Sequence, residues 1–206
     1  RNSQFLFLGA ASPDLPYLSV KTGAVNWADI MHYEKTAGIA TSGFAELKKA
    51  WPSRTAVEEV QLAWLFGYIS HLVADATIHP IVQATVGAYA QNKSEHRLCE
   101  MTQDSLIYKA RKNVELTYAE FSDILKFCVK SPHFSALMKF WKRQLLQNYP
   151  DKAEEPHPSF WFKTYTNAVD VAEGGSAVGI FRHVAGENCV YKSEEKIRGA
   201  FPGHYE

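Results

Sequence analysis

Apolar residues recur along this chain at steps of three and four, and strict alternation is scarce. That pattern predicts helices and no sheet. Residues 1–23 read as a short apolar piece followed by a proline-bracketed loop, Ser12-Pro13-Asp14-Leu15-Pro16-Tyr17. Asn26 to Thr36 is a candidate helix, with Asp29 early and His32 near its middle. Ser42 suits the cap of a short helix running through Lys49, which Pro52 stops. A long helix begins at Ser53 or Thr55, with Val57, Val60, Leu62, Ala63, Leu65 and Phe66 on its apolar face. Pro80 lacks a backbone donor and its ring crowds the preceding turn, so this helix is expected to kink or stop near His79. Asn92 or Ser94 suits the cap of the next helix, which runs to about Asn113. Further helices are expected over 117–130, 132–147, 158–173 and 176–185, with Gly174-Gly175 ending the third of these. The tail from Tyr191 is polar and is expected to be loosely ordered. With no repeat and no low-complexity linker, one all-α domain over residues 1–206 is the simplest account.

Composition narrows the picture. At 46% hydrophobic and 13% aromatic, 206 residues can bury a sizeable core. Lys and Arg number 22 and so do Asp and Glu, with neither a basic stripe nor an acidic tail. Bulk charge therefore does not favour binding of a polyanion, and nucleic acid would need a local site. Cys99, Cys128 and Cys189 are odd in number and form no CxxC pair. They read as buried thiols and fit a reducing, cytoplasmic compartment. A leader upstream of Arg1 would instead make the protein secreted. No apolar run of the length that spans a bilayer occurs.

The chemistry concentrates in the first hundred residues. His71, Asp75 and His79 follow one another at steps of four inside the long helix. A step of four advances only about 40° round a helix, so His71 and Asp75 project side by side. His79 lies about 80° round from His71 and two turns along, placed for a neighbouring ion. His96 and Glu100 repeat the step of four on the next helix. Upstream lie Asp14 in its loop and His32 on its own helix. Imidazole with carboxylate is a ligand set that suits zinc, and buried groups of this kind need partners. The competing reading for the same residues is a buried hydrogen-bonded network. His133, His157, His183 and His204 have no acid or second histidine at ligand spacing.

Taken in order, these features are a Pro-Asp loop, an isolated His, Gly67-x-x-x-His71-x-x-x-Asp75, His79-Pro80 and His96-x-x-x-Glu100. In that order the chain resembles the zinc-dependent phospholipase C family, whose fold is shared with the P1/S1-type nucleases. The resemblance covers roughly residues 5–105 and implies an all-helical zinc hydrolase with two or three ions. It implies that Asp14, His32, His71 and Asp75 hold a first zinc, and His79, His96 and Glu100 a second. Asp75 would bridge to a third, completed by an amino-terminal Trp amine and a nearby His. Here the first residue is Arg1 and no His precedes Asp14. A third site is then absent, incomplete, or completed by residues upstream. The interval from Asp75 to His79 is two residues shorter than in the family's secreted toxins.

The expected activity is hydrolysis of a phosphate ester, with Asp14 as candidate catalytic base and phospholipid as the expected substrate. Two ions about 3.5–4 Å apart can clamp the attacking and leaving oxygens of a phosphodiester. Leu15 stands where choline-binding members place a tyrosine, so the head group is left open. The alternatives are a nuclease or nucleotidase with nucleic acid as substrate, and a metal-binding module without catalysis. No amphipathic basic helix marks a membrane contact. Oligomeric state is not legible in the sequence.

Overall fold

The structure, a computed structural model, describes residues 2–115, residues 121–173 and Glu195. Among these residues there are helices and no strand, so the all-α expectation holds. The helices are α1 (Ser3–Ala11), α2 (Ala24–Tyr33), α3 (Ala37–Ala50), α4 (Ala56–Val86), α5 (Lys93–Lys112), α6 (Phe121–Val129), α7 (Phe134–Asn148) and α8 (Pro158–Glu173). Short 3-10 turns at Leu15–Leu18 and Trp51–Ser53 join α1 to α2 and α3 to α4. The helix expected over 176–185 and the tail from Tyr191 lie outside the described residues, apart from Glu195.

Several boundaries follow from identifiable local chemistry. At the start of α4, Thr55 and Glu58 form a capping box. The Glu58 carboxylate accepts from the Thr55 amide at 2.7 Å, and the Val57 amide donates to the Thr55 hydroxyl at 3.2 Å. At the end of α5, Asn113 takes the left-handed conformation with φ 54°, and its amide donates to the Lys109 carbonyl.

Other boundaries correct the sequence reading. The apolar piece at the start is a full helix, with Phe5, Leu8 and Gly9 on its buried face. α2 ends at Tyr33 rather than Thr36, because Lys35 adopts a left-handed backbone with φ 46°. α3 begins five residues before Ser42, whose hydroxyl bonds to Gln144 of α7 instead of capping. α4 does not stop at His79. It passes through Pro80 and ends at Val86, where Gly87 takes φ 91° and donates its amide to the Gln83 carbonyl. A proline removes one bond from the ladder, and the neighbouring bonds hold the helix until a left-handed glycine ends it.

The chain divides into two compact units, one of residues 1–75 with 121–170, the other of residues 76–120 with 171–206. The first unit contains the main core. Trp64, Tyr68, Phe140, Trp141 and Trp161 are fully buried, and Trp64 is in ring contact with three of them. α1 packs on α6, and α3 on α7. α1 also crosses α4 at backbone distance. A Cβ on Gly9 would lie 2.0 Å from the Trp64 carbonyl oxygen, and one on Gly67 would lie 1.9 Å from that of Leu6. Two glycines therefore set how closely the two helices approach. In the second unit Val82, His96, Met101 and Ser105 are buried.

Candidate metal centres

The first unit brings four of the expected residues to one point. α4 supplies His71 and Asp75 one turn apart, the end of α2 supplies His32, and the loop after α1 supplies Asp14. His32 Nε2 lies 3.0 Å from His71 Nε2. Asp14 Oδ1 is 3.3 Å from His32 Nε2, and Asp75 Oδ2 is 3.6 Å and 3.4 Å from the Nε2 atoms of His32 and His71. Asp14, His32 and His71 each offer a ligand atom, and these atoms all lie within 4.8 Å of one another.

The other ring nitrogens fix the tautomers. His32 Nδ1 is 2.8 Å from the carbonyl of Ala28, and His71 Nδ1 is 2.8 Å from that of Ala10. A carbonyl only accepts, so both Nδ1 atoms carry the hydrogen and both Nε2 atoms present lone pairs. Two lone pairs at 3.0 Å beside two carboxylates form a cluster of acceptors with no donor. Such a cluster calls for a cation. The same surroundings favour a proton there. Burial works against the imidazolium at both histidines, but it is outweighed at His32 by Asp14, the Ala28 carbonyl and Asp75, and at His71 by Asp75 and Asp14. Both pKa values are raised as a result.

The second unit holds the other group. His79 comes from α4, and His96 and Glu100 come from α5. Glu100 Oε1 is 3.1 Å from His79 Nε2 and 3.2 Å from His96 Nε2. The His79 and His96 rings are edge to face at 5.1 Å, and the Tyr89 and His96 rings are edge to face at 5.0 Å. His96 is 2% exposed, and neither of its ring nitrogens makes a hydrogen bond. The Glu100 oxygen is within reach but misaligned. A buried imidazole without a hydrogen bond is costly, and a metal ion at the meeting point of these three side chains would satisfy it. Both donor sets, nitrogen with carboxylate oxygen, fit zinc.

All seven residues singled out in the sequence thus fall into two groups. Sequence reasoning missed the carbonyls of Ala10 and Ala28. Ala28 lies one turn before His32 on the same helix, a spacing that could have revealed it. Ala10 is brought to His71 only by the α1–α4 crossing, and no local signal marks it. Tyr17 was missed as well. Its ring contacts His32 at 5.6 Å and its hydroxyl donates to Asp29 at 2.9 Å. Burial and the Asp29 carboxylate push its pKa up. Among the described residues, His133 and His157 belong to neither group.

Fold and site together define an all-helical protein with two nitrogen-and-carboxylate groups able to hold divalent metal. Residues 1–162 match the family model described as zinc dependent phospholipase C, and the chain belongs to that family. No curated protein and no solved structure matches it. The family is zinc-dependent and its name points to hydrolysis of a lipid phosphate ester.

Proposed function

We propose that this chain is a zinc-dependent phosphodiester hydrolase. It cleaves a phospholipid on the glycerol side of phosphorus and releases diacylglycerol and a phosphorylated head group. In this reading Asp14, His32, His71 and Asp75 hold one zinc ion, and His79, His96 and Glu100 hold another. The observation that carries it is the pair of imidazole lone pairs facing each other at 3.0 Å between two carboxylates.

Bound zinc supplies Lewis acidity and a hydroxide nucleophile at neutral pH. The protein's own contribution is to hold the ligands in one protonation state. Ala10 and Ala28 lock the Nδ1 hydrogens of His71 and His32, which orients both rings and raises their basicity. Asp14 has a side chain 50% exposed, so it faces solvent as well as His32. That position suits it to take a proton from water and pass it to bulk. The second group has three protein ligands, the number that leaves a position open for substrate.

The test combines elemental analysis with a substrate panel of phosphatidylcholine and single-stranded DNA. Wild type should carry zinc and cleave the lipid. The His71→Ala/Asp75→Ala double variant should lose zinc from the first group and its activity. Unchanged zinc and unchanged hydrolysis in that variant would falsify the assignment. Cleavage of DNA in preference to lipid would replace the substrate with nucleic acid.

A further inference from the structure

From Ala76 to Asn92 the chain has no Asp, Glu, Lys or Arg. Such a stretch ordinarily belongs in a core. Here it forms the end of α4 and the turn to α5, and most of it is open to solvent. Ile81 is 57% exposed, Tyr89 45% and Ile78 36%. Ala76, Thr77, Ala84, Thr85 and Ala88 are exposed with them, and Val82 is the fully buried side chain of the stretch. An exposed helix of a water-soluble protein carries charge on its open face. This one carries aliphatic, aromatic and small side chains, with Gln83 and Gln91 as its exposed amides and no charge.

We infer that the 76–91 face docks on the surface of a phospholipid bilayer. The inference rests on the lipid reading above and adds how the protein meets its substrate. Three observations favour lipid over a protein partner. The family's substrate is a lipid phosphate ester, which sits at a bilayer surface. The uncharged stretch contains His79, so apolar contact and ligand lie on the same piece of α4. Charge begins where the apolar face ends. Lys93 lies 5.7 Å over the Tyr89 ring, as suits a border with phosphate head groups, and Glu95 and Arg97 follow, Arg97 within 4.0 Å of Glu100. Among the described residues no helix is long and apolar enough to cross a membrane.

The experiment is flotation of the full chain, loaded with zinc, with phosphatidylcholine vesicles. It is run for wild type, for Ile78→Asp/Ile81→Asp, and for Val20→Asp as an exposed apolar control at 88% exposure. Circular dichroism and zinc content report that each variant is folded. The double variant should bind vesicles at least about tenfold more weakly, and the control should bind like wild type. Hydrolysis of vesicle lipid should fall in parallel, while hydrolysis of a soluble, monomeric phosphodiester stays within about twofold of wild type. Failure of wild type to float, equal binding by the double variant, or equal loss in the control would each overturn the docking face. So would a double variant that changes only the mass in solution, since that marks self-association. Flotation is read without catalysis. A wild type that floats but hydrolyses neither substrate sustains the docking face and removes the proposed activity.

Discussion

His71 and His32 show how a single side chain acquires its role from what holds its far edge. Each imidazole spends its Nδ1 hydrogen on a backbone carbonyl, which leaves its Nε2 lone pair free to serve as a ligand. His96 lacks any such anchor and is in ring contact with His79 and Tyr89. If the two groups bind zinc as proposed, His71→Gln and His96→Gln should each lower the zinc content by one ion per chain, from different groups. The His71→Gln/His96→Gln combination should lower it by two; mass spectrometry of the native protein reads all three. A second outcome concerns Tyr68. Its hydroxyl is fully buried and makes no hydrogen bond. An unsatisfied buried hydroxyl costs about 1–3 kcal/mol, so Tyr68→Phe should leave the folded protein as stable or more stable in urea denaturation. A loss of 1 kcal/mol or more, on the scale of about one satisfied hydrogen bond, would mean the hydroxyl has a partner.

At the scale of elements, the crossing of α1 and α4 sets the first candidate metal group. It brings the Ala10 carbonyl to His71, and Gly9 and Gly67 permit the approach. Gly67→Ala places a methyl 1.9 Å from backbone rather than from a side chain that could swing away. The helices must then part, and overpacking of this kind costs typically about 1–3 kcal/mol. The expected result is a lower thermal midpoint together with weaker zinc binding by the first group. A midpoint equal to wild type would show that the helices slide apart freely. The helix signals themselves were unevenly legible. Thr55, one of the two starts the sequence offered, and the Asn113 stop stand in the sequence as they stand in the fold, and the structure adds the Glu58 half of the capping box. Pro80 is the loudest breaker in the chain and does not end α4, which continues to the quieter signal at Gly87.

For the whole molecule, burial couples the core to pH. Burial pushes the Cys128 thiol from 9.0 up to about 12 and, with Glu34, the Tyr149 phenol from 10.0 up to about 12. The Tyr68 phenol is also raised by burial. In each case the folded protein keeps a proton that the unfolded chain releases. The folded state then binds more protons above about pH 9, so stability falls as pH rises, by about 1.4 kcal/mol per pH unit for each such group. Unfolding midpoints should fall steadily between about pH 9 and 12. A thiol reagent at pH 8 should modify Cys128 only as fast as the chain unfolds.

The amino-acid sequence by itself determined the helical class and the pairs His71 with Asp75 and His96 with Glu100. Those features depend on the 3.6-residue repeat, which any stretch of chain carries locally. It also determined which side chains were candidates, because imidazoles and carboxylates in apolar segments need partners. Only the tertiary structure decided that Asp14 and His32 meet His71, that Ala10 orients it, and that the 76–91 face stays open. Those outcomes depend on helix crossings between residues far apart in the chain, and spacing along the chain holds no record of them.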